Sequence, residues 1–208
     1  MTERVEVELK LALAEPARLP ALLAALPAPE GAVLQRNVYL EDPGGVLVTQ
    51  RVMTRLREER DEPREEAPIA RAILTCKRRT SIAHGVFSAE EVEQAVPVAR
   101  WLAFRDGGEP LLDGLEGDAA TMLRDTLGVT ALTVRGATTN LRRRVRAGGF
   151  LLEVDETRFP DGSVDAEVEV ETDDPEGARA VVEAAAAEAG VALAVQTLGK
   201  YARFLERS

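Results

Sequence analysis

Residues 5–11 read Val-Glu-Val-Glu-Leu-Lys-Leu, so Glu6, Glu8 and Lys10 alternate with Val5, Val7, Leu9 and Leu11. Successive side chains of a strand point to opposite faces, and this stretch predicts a strand with one charged and one apolar face. The same alternation recurs over 33–41, 51–58, 73–79, 86–96, 132–135, 139–147, 150–157 and 164–172. Gly148-Gly149 joins two of these strands as a hairpin, and Asp161-Gly162 turns the chain again. Helical spacing of apolar residues appears instead at 15–26, 98–104, 118–127 and 175–189. Pro175 opens the last of these and Gly190 stops it. Segment 198–206 suits a short helix or a strand, and 59–70, charged and without period, suits an exposed, mobile loop. About eight strands in mostly hairpin order, with helices between them, predict an α+β chain built on a closed or nearly closed antiparallel barrel. Residues 1–208 read as a single domain.

Sorted by parity, the charges fall into sets. Arg55 and Arg57 share a face, as do Lys77 and Arg79, Glu91 and Glu93, and Arg142 and Arg144. Glu153 and Asp155 form another pair, and Asp165, Glu167, Glu169 and Glu171 a run of four. A barrel with a charged interior and helices packed outside would account for this. Alternation is equally satisfied by a sheet with a wet outer face, so periodicity alone leaves the choice open.

Composition narrows the function. A formal charge of −10 argues against a general nucleic-acid binder, although 26 lysines and arginines remain for an anion site. With one cysteine (Cys76) and one histidine (His84), a disulfide framework and a structural zinc set are excluded. Cys76 falls on the apolar parity and reads as a packed, inert thiol; Trp101 and Phe104 read as core. No apolar run approaches a membrane span and no signal core opens the chain, so a cytoplasmic protein is expected. Clustered carboxylates suit Mg²⁺ or Mn²⁺, and lysines and arginines on facing walls suit a polyanion. Together they are the equipment of phosphoryl transfer, without either glycine-rich phosphate loop.

The ordered series Glu6-x-Glu8-x-Lys10, Tyr39-Leu40-Glu41-Asp42-Pro43, Arg55-Leu56-Arg57, Leu74-Thr75-Cys76-Lys77, Glu91, Arg142, Leu152 to Glu156, Glu167 to Glu171 and Gly199-Lys200-Tyr201 resembles the CYTH superfamily, the triphosphate tunnel metalloenzymes. Gln35-Arg36-Asn37 and Val154-Asp155-Glu156-Thr157 look most like its plant-type inorganic triphosphatases. The resemblance implies an eight-stranded antiparallel tunnel, Mg²⁺ or Mn²⁺, and a substrate carrying a triphosphate: inorganic triphosphate, ATP or thiamine triphosphate. By the same resemblance Glu6, Glu8, Glu169 and Glu171 would hold the metals, with Glu8, Glu171 and Lys10 taking part in catalysis. Lys10, Arg36, Arg55, Arg57, Lys77, Arg79, Arg142 and Lys200 would bind the phosphates, and Glu91 and Asp155 would orient them. Removing Glu8 or Glu169 would then abolish activity and leave the fold intact. The expected reaction is hydrolysis of inorganic triphosphate to diphosphate and phosphate. Alternatives are a class IV-type adenylate cyclase, a thiamine triphosphatase and a non-enzymatic polyphosphate-binding module.

Overall fold

The computed structural model describes residues 4–208, the side chains of Arg4 and Arg79 excepted. Eight strands carry the fold: β1 (Arg4–Leu13), β2 (Gly31–Glu41), β3 (Met53–Arg60), β4 (Arg71–Ala83), β5 (Val86–Val96), β6 (Thr133–Ala147), β7 (Phe150–Arg158) and β8 (Val164–Glu171). They lie in the order β5-β4-β3-β2-β6-β7-β8-β1, and β1 pairs back onto β5 to close an antiparallel barrel. A short β9 (Leu193–Val195) continues that closure, pairing with Leu11 to Leu13 beyond the point where β5 leaves β1. The helices are α1 (Leu19–Ala25), α2 (Val46–Thr49), α3 (Val98–Arg105), α4 (Asp118–Thr121), α5 (Pro175–Ala189) and α6 (Lys200–Glu206). None is long and apolar enough to cross a membrane.

The choice that alternation left open is decided by where the apolar parity goes. Val38, Leu56, Leu74, Cys76 and Val92 of β2 to β5 pack outward against Trp101 of α3, with Leu112 and Leu123 around them. On the other side Leu9, Leu11, Val154, Val168 and Val170 pack outward against Leu22 of α1 and Val182 of α5. Burying these faces under helices is the main favourable term in the fold, and it leaves the charged parity nowhere to point but inward.

Local chemistry fixes the helix ends. The Asp174 side chain accepts from the Gly177 amide at 2.9 Å, Pro175 occupies the first turn, and Gly190 at φ +62° ends α5. Asp42 accepts from the amides of Val46 and Leu47, both at 2.8 Å, and so starts α2.

Several boundaries differ from the sequence reading, each for a physical reason. Arg51 sits at φ +54°, a left-handed conformation that no strand continues through, so β3 starts at Met53. It then runs on to Arg60, whose Nε donates to the Ala67 carbonyl at 2.9 Å. Glu59 and Arg60 are therefore buried strand residues and not part of a loop. Segments 132–135 and 139–147 merge into the single strand β6, with a register shift opposite Tyr39 and Leu40. Gly136 masks this continuity. A Cβ there would lie 2.8 Å from the Phe204 ring, so close packing against α6 demands glycine. β4 runs past Arg79 to Ala83, and β9, at three residues, is too short to display a period.

Two features of the outer layer carry predictions. Cys76 is fully buried, and burial pushes its thiol up to about 12. The native protein is expected to resist thiol-reactive disulfide reagents at pH 8 and to label stoichiometrically once unfolded in guanidinium. Glu58 is also fully buried, beneath α3, where it accepts from Trp101 Nε1 at 2.8 Å and Arg60 Nη2 at 2.9 Å. Trp101→Phe keeps most of the ring but removes that donor, and should cost about 1–3 kcal/mol in urea unfolding.

Candidate active site

The inward faces enclose a cavity of about 1190 Å³. Its acidic wall comes from β1, β8 and β7. Their register sets Glu8 opposite Glu171, Lys10 opposite Glu169, Glu153 opposite Glu169, and Asp155 opposite Glu167. Oxygens of Glu8, Glu153 and Glu169 lie within 4.8 Å of one another, as do those of Asp155, Glu167 and Glu169.

Cations are threaded through this wall. Lys10 Nζ is 2.5 Å from Glu169 and 2.6 Å from Glu8. Arg142 donates through Nε and Nη2 to the two oxygens of Asp155, at 2.9 and 2.7 Å, and through Nη2 to Glu169 at 2.5 Å. Lys200 arrives from α6, which packs Tyr201 and Phe204 against Tyr39 of β2 as tilted rings at centroid distances of 4.9 and 4.6 Å. Its Nζ bonds Asp155 at 2.7 Å and Glu169 at 2.6 Å.

Burial alone would raise the pKa of Glu169, but Lys10, Lys200 and Arg142 outweigh it and hold the carboxyl well below the usual range. Asp155 is held low in the same way by Arg142 and Lys200. Glu8 behaves oppositely: burial first, and the nearby Glu169 charge second, push it up to about 7. Lys10 and Lys200 lose charge stability to burial and regain more from their carboxylates, so both stay firmly protonated.

The facing wall is basic and under-neutralised. Arg55 makes no ion pair among the described residues, and its Nε has no hydrogen-bond partner. Arg57 has a 3.8 Å approach to Glu59, a 3.4 Å bond to Asn37 and the nearby charge of Glu93. Burial, then the neighbouring Arg55 and Arg142, lower the Arg57 guanidinium to about 10. Between the walls, Lys77 is held by Glu6 and, at 2.6 Å, by Glu91. Beyond Arg57, Glu59, Gln35, Asn140 and Thr157 form a buried side-chain chain of 2.9–3.0 Å hydrogen bonds across four strands.

The barrel thus brings Glu6, Glu8, Lys10, Arg55, Arg57, Lys77, Glu91, Arg142, Asp155, Glu169, Glu171 and Lys200 around one interior. Arg36 is not among them. It lies on the outer parity of β2, 3.4 Å from Glu58, because the one-residue step from Gln35 turns its side chain out of the barrel. The Arg79 side chain lies outside the described residues. Glu171 sits at the exposed end of the β8 run and lines the cavity. Sequence reasoning passed over Glu153 as a metal ligand. The signal was its shared parity with Asp155, but only the register with Glu169 brings it to Glu8.

Cations hold both carboxylate groups: Asp155 and Glu167 accept from Arg142, Lys200, Arg203 or Gln196, and Glu153 accepts from Arg142 and Arg144. What sets the first group apart is Glu8. Glu8 instead carries a proton up to about 7, the place where a hard divalent cation would substitute. Glu8, Glu153 and Glu169 fit Mg²⁺ or Mn²⁺, which take carboxylate oxygens.

A Hippeastrum protein, assigned as an adenylyl cyclase and found to have a dominant triphosphatase activity, shares 26% identity over 97% of this chain and 95% of its own, with a TM-score of 0.85. A Bacillus halodurans protein assigned as an adenylate cyclase shares the fold, at 24% identity over 98% of this chain and 99% of its own, with a TM-score of 0.68. A search of curated proteins gives no match. The family model of the CYTH domain matches residues 4–204, and the chain belongs to the CYTH family.

Proposed function

We propose that this protein hydrolyses inorganic triphosphate to diphosphate and phosphate with the help of Mg²⁺ or Mn²⁺. One observation carries the reading: buried Arg55, without an ion pair among the described residues, and part-buried Arg57 face the Glu8–Glu153–Glu169 cluster across the barrel cavity. Cations short of counter-charge in an interior are costly, and a polyanion bound between the walls would relieve that cost. Asp155 and Glu169 can serve anion binding by aiming cations, but Glu8, pushed up to about 7 by burial and Glu169, adds nothing to that task, which weighs against a non-enzymatic module.

Arg55, Arg57 and Lys77 would grip phosphate oxygens directly. Lys10, Arg142 and Lys200 would do so while tied to Glu169 and Asp155, which aim them. Glu6 and Glu91 would hold Lys77 in place. A divalent ion bound by Glu8, Glu153 and Glu169 would supply charge neutralisation and polarise a phosphoryl oxygen. Water attacks the terminal phosphorus, the bridging P–O bond breaks, diphosphate leaves, and a carboxylate of the Glu8–Glu171 row accepts the water's proton. Thiamine triphosphate and ATP present the same terminal group and would be slower substrates. The setting is cytoplasmic, in keeping with a single reduced cysteine.

Cyclisation of ATP is the second reading, favoured by the assignment of both similar structures as cyclases. The dominant triphosphatase activity of the Hippeastrum protein tips the balance toward hydrolysis. Chromatography of ATP incubated with the protein and Mn²⁺ separates the two. ADP with phosphate is the expected product pair, whereas cyclic AMP with diphosphate would transfer the protein to the cyclase reading.

A further inference from the structure

Arg203 follows Lys200 by three residues on α6, so both project from one face of the helix. It is 4% exposed. Its Nη1 donates to Asp165 at 2.6 Å and its Nη2 reaches both oxygens of Glu167 at 2.8 Å. Glu167, buried in turn, also takes Lys200 Nζ at 2.6 Å and Gln196 Nε2 at 3.2 Å. One carboxylate therefore bridges the two cations of α6 and has no oxygen left over.

α6 cannot set its own position. Seven residues are too few for a helix stable by itself, and its first turn carries no side-chain cap. The aromatic packing of Tyr201 and Phe204 on Tyr39 holds it against the barrel, but such packing is non-directional and permits rotation and sliding. The forked bond of Arg203 is directional.

We propose that Arg203 is a positioning residue: by gripping Glu167 and Asp165 it fixes α6 so that Lys200 Nζ stays aimed at Asp155 and Glu169, in the place where a phosphate would bind. It also keeps Glu167 engaged as a bracket and out of the metal-binding carboxylates. The inference rests on the proposed function, because the ligand that Lys200 meets is the triphosphate. Lysine cannot reproduce the fork, so Arg203→Lys keeps charge and stem while releasing the helix angle.

The test is a double-mutant cycle read by calorimetric binding of inorganic triphosphate in the presence of a chelator, which prevents turnover. Arg203→Lys should weaken binding about tenfold, and Lys200→Met at least as much. Combined, Arg203→Lys should add less than about twofold to Lys200→Met, because its effect passes through a side chain no longer there. Asp165→Asn, which weakens one arm of the grip together with the 3.0 Å bond that Asp165 accepts from Arg207 just beyond the helix, should show a smaller loss that likewise vanishes in the Lys200→Met background. It also serves if Arg203→Lys folds poorly. An undiminished loss in the Lys200→Met background, or unchanged binding in Arg203→Lys, would overturn the inference while leaving the proposed function standing. Failure of the wild-type chain to bind triphosphate would overturn both.

Discussion

Glu8→Gln is expected to lower turnover of inorganic triphosphate by about a thousandfold, the scale of removing one group that stabilises charge in a transition state, while the barrel stays folded. Glutamine retains the shape of the side chain and one oxygen, but it cannot exchange a proton for a cation. The metal-free protein should even gain stability. Burial and Glu169 raise the Glu8 carboxyl above its unfolded value to about 7, so its proton favours the folded state. That contribution is complete below the unfolded pKa of about 4.5 and is lost as pH climbs through about 7. With a chelator present, wild type should therefore melt progressively lower between pH 5 and pH 8 relative to Glu8→Gln, a difference worth about 1–3 kcal/mol at the upper end. Parallel melting curves across that range would contradict the assignment of a buried proton to Glu8.

Glu169→Ala is expected to behave differently, contrary to the sequence-based expectation that both carboxylates can go without harm to the fold. Glu169 is 3% exposed and accepts from Lys10, Arg142 and Lys200 at once. Deleting it removes it from the metal cluster and takes one acceptor from each of three cations, leaving Lys10 with Glu8, Arg142 with Asp155 and Glu153, and Lys200 with Asp155 and Glu167. Losing a charged acceptor from partners that keep others costs about 1.5–3 kcal/mol, which for a chain of this size lowers the melting temperature by about 3–12 °C. Inorganic triphosphate should restore much of the loss, because its oxygens can accept from the same three cations and ligand binding adds to folded-state stability by mass action. Calorimetric melting with and without the anion measures both parts. A Glu169→Ala variant as stable as wild type would mean that the cluster is not held by this carboxylate.

The two variants illustrate what the residues alone disclose. Alternation along residues 5–11 and 164–172 marks the charged parity without the structure, since strand geometry places i and i+2 together whatever the fold. That this parity faces inward depends on α1, α3 and α5 covering the apolar side, an outcome of packing that no single strand encodes. Glu153 and Glu8 are 145 positions apart, and only barrel closure through β8 makes them neighbours. Arg36 entered the expected set through its neighbours Gln35 and Asn37, and the one-residue step of a strand put it outside. Gly136 and Arg51 misled the strand boundaries for opposite reasons. Gly136 is a strand residue made glycine by an approaching ring, and Arg51 is a non-glycine in a glycine-like conformation. Arg203 was invisible because it serves Lys200 through Glu167, a relation with no spacing to read.

The central claim, that facing acidic and basic walls make a metal-assisted triphosphatase, is tested most directly by phosphate release from inorganic triphosphate, ATP and thiamine triphosphate side by side. Each would be assayed with Mg²⁺, with Mn²⁺ and with a chelator. The account predicts fast release from inorganic triphosphate with either ion, slower release from the organic triphosphates, and none with the chelator. Equal turnover in the chelator, or silence on inorganic triphosphate with either ion present, would contradict it.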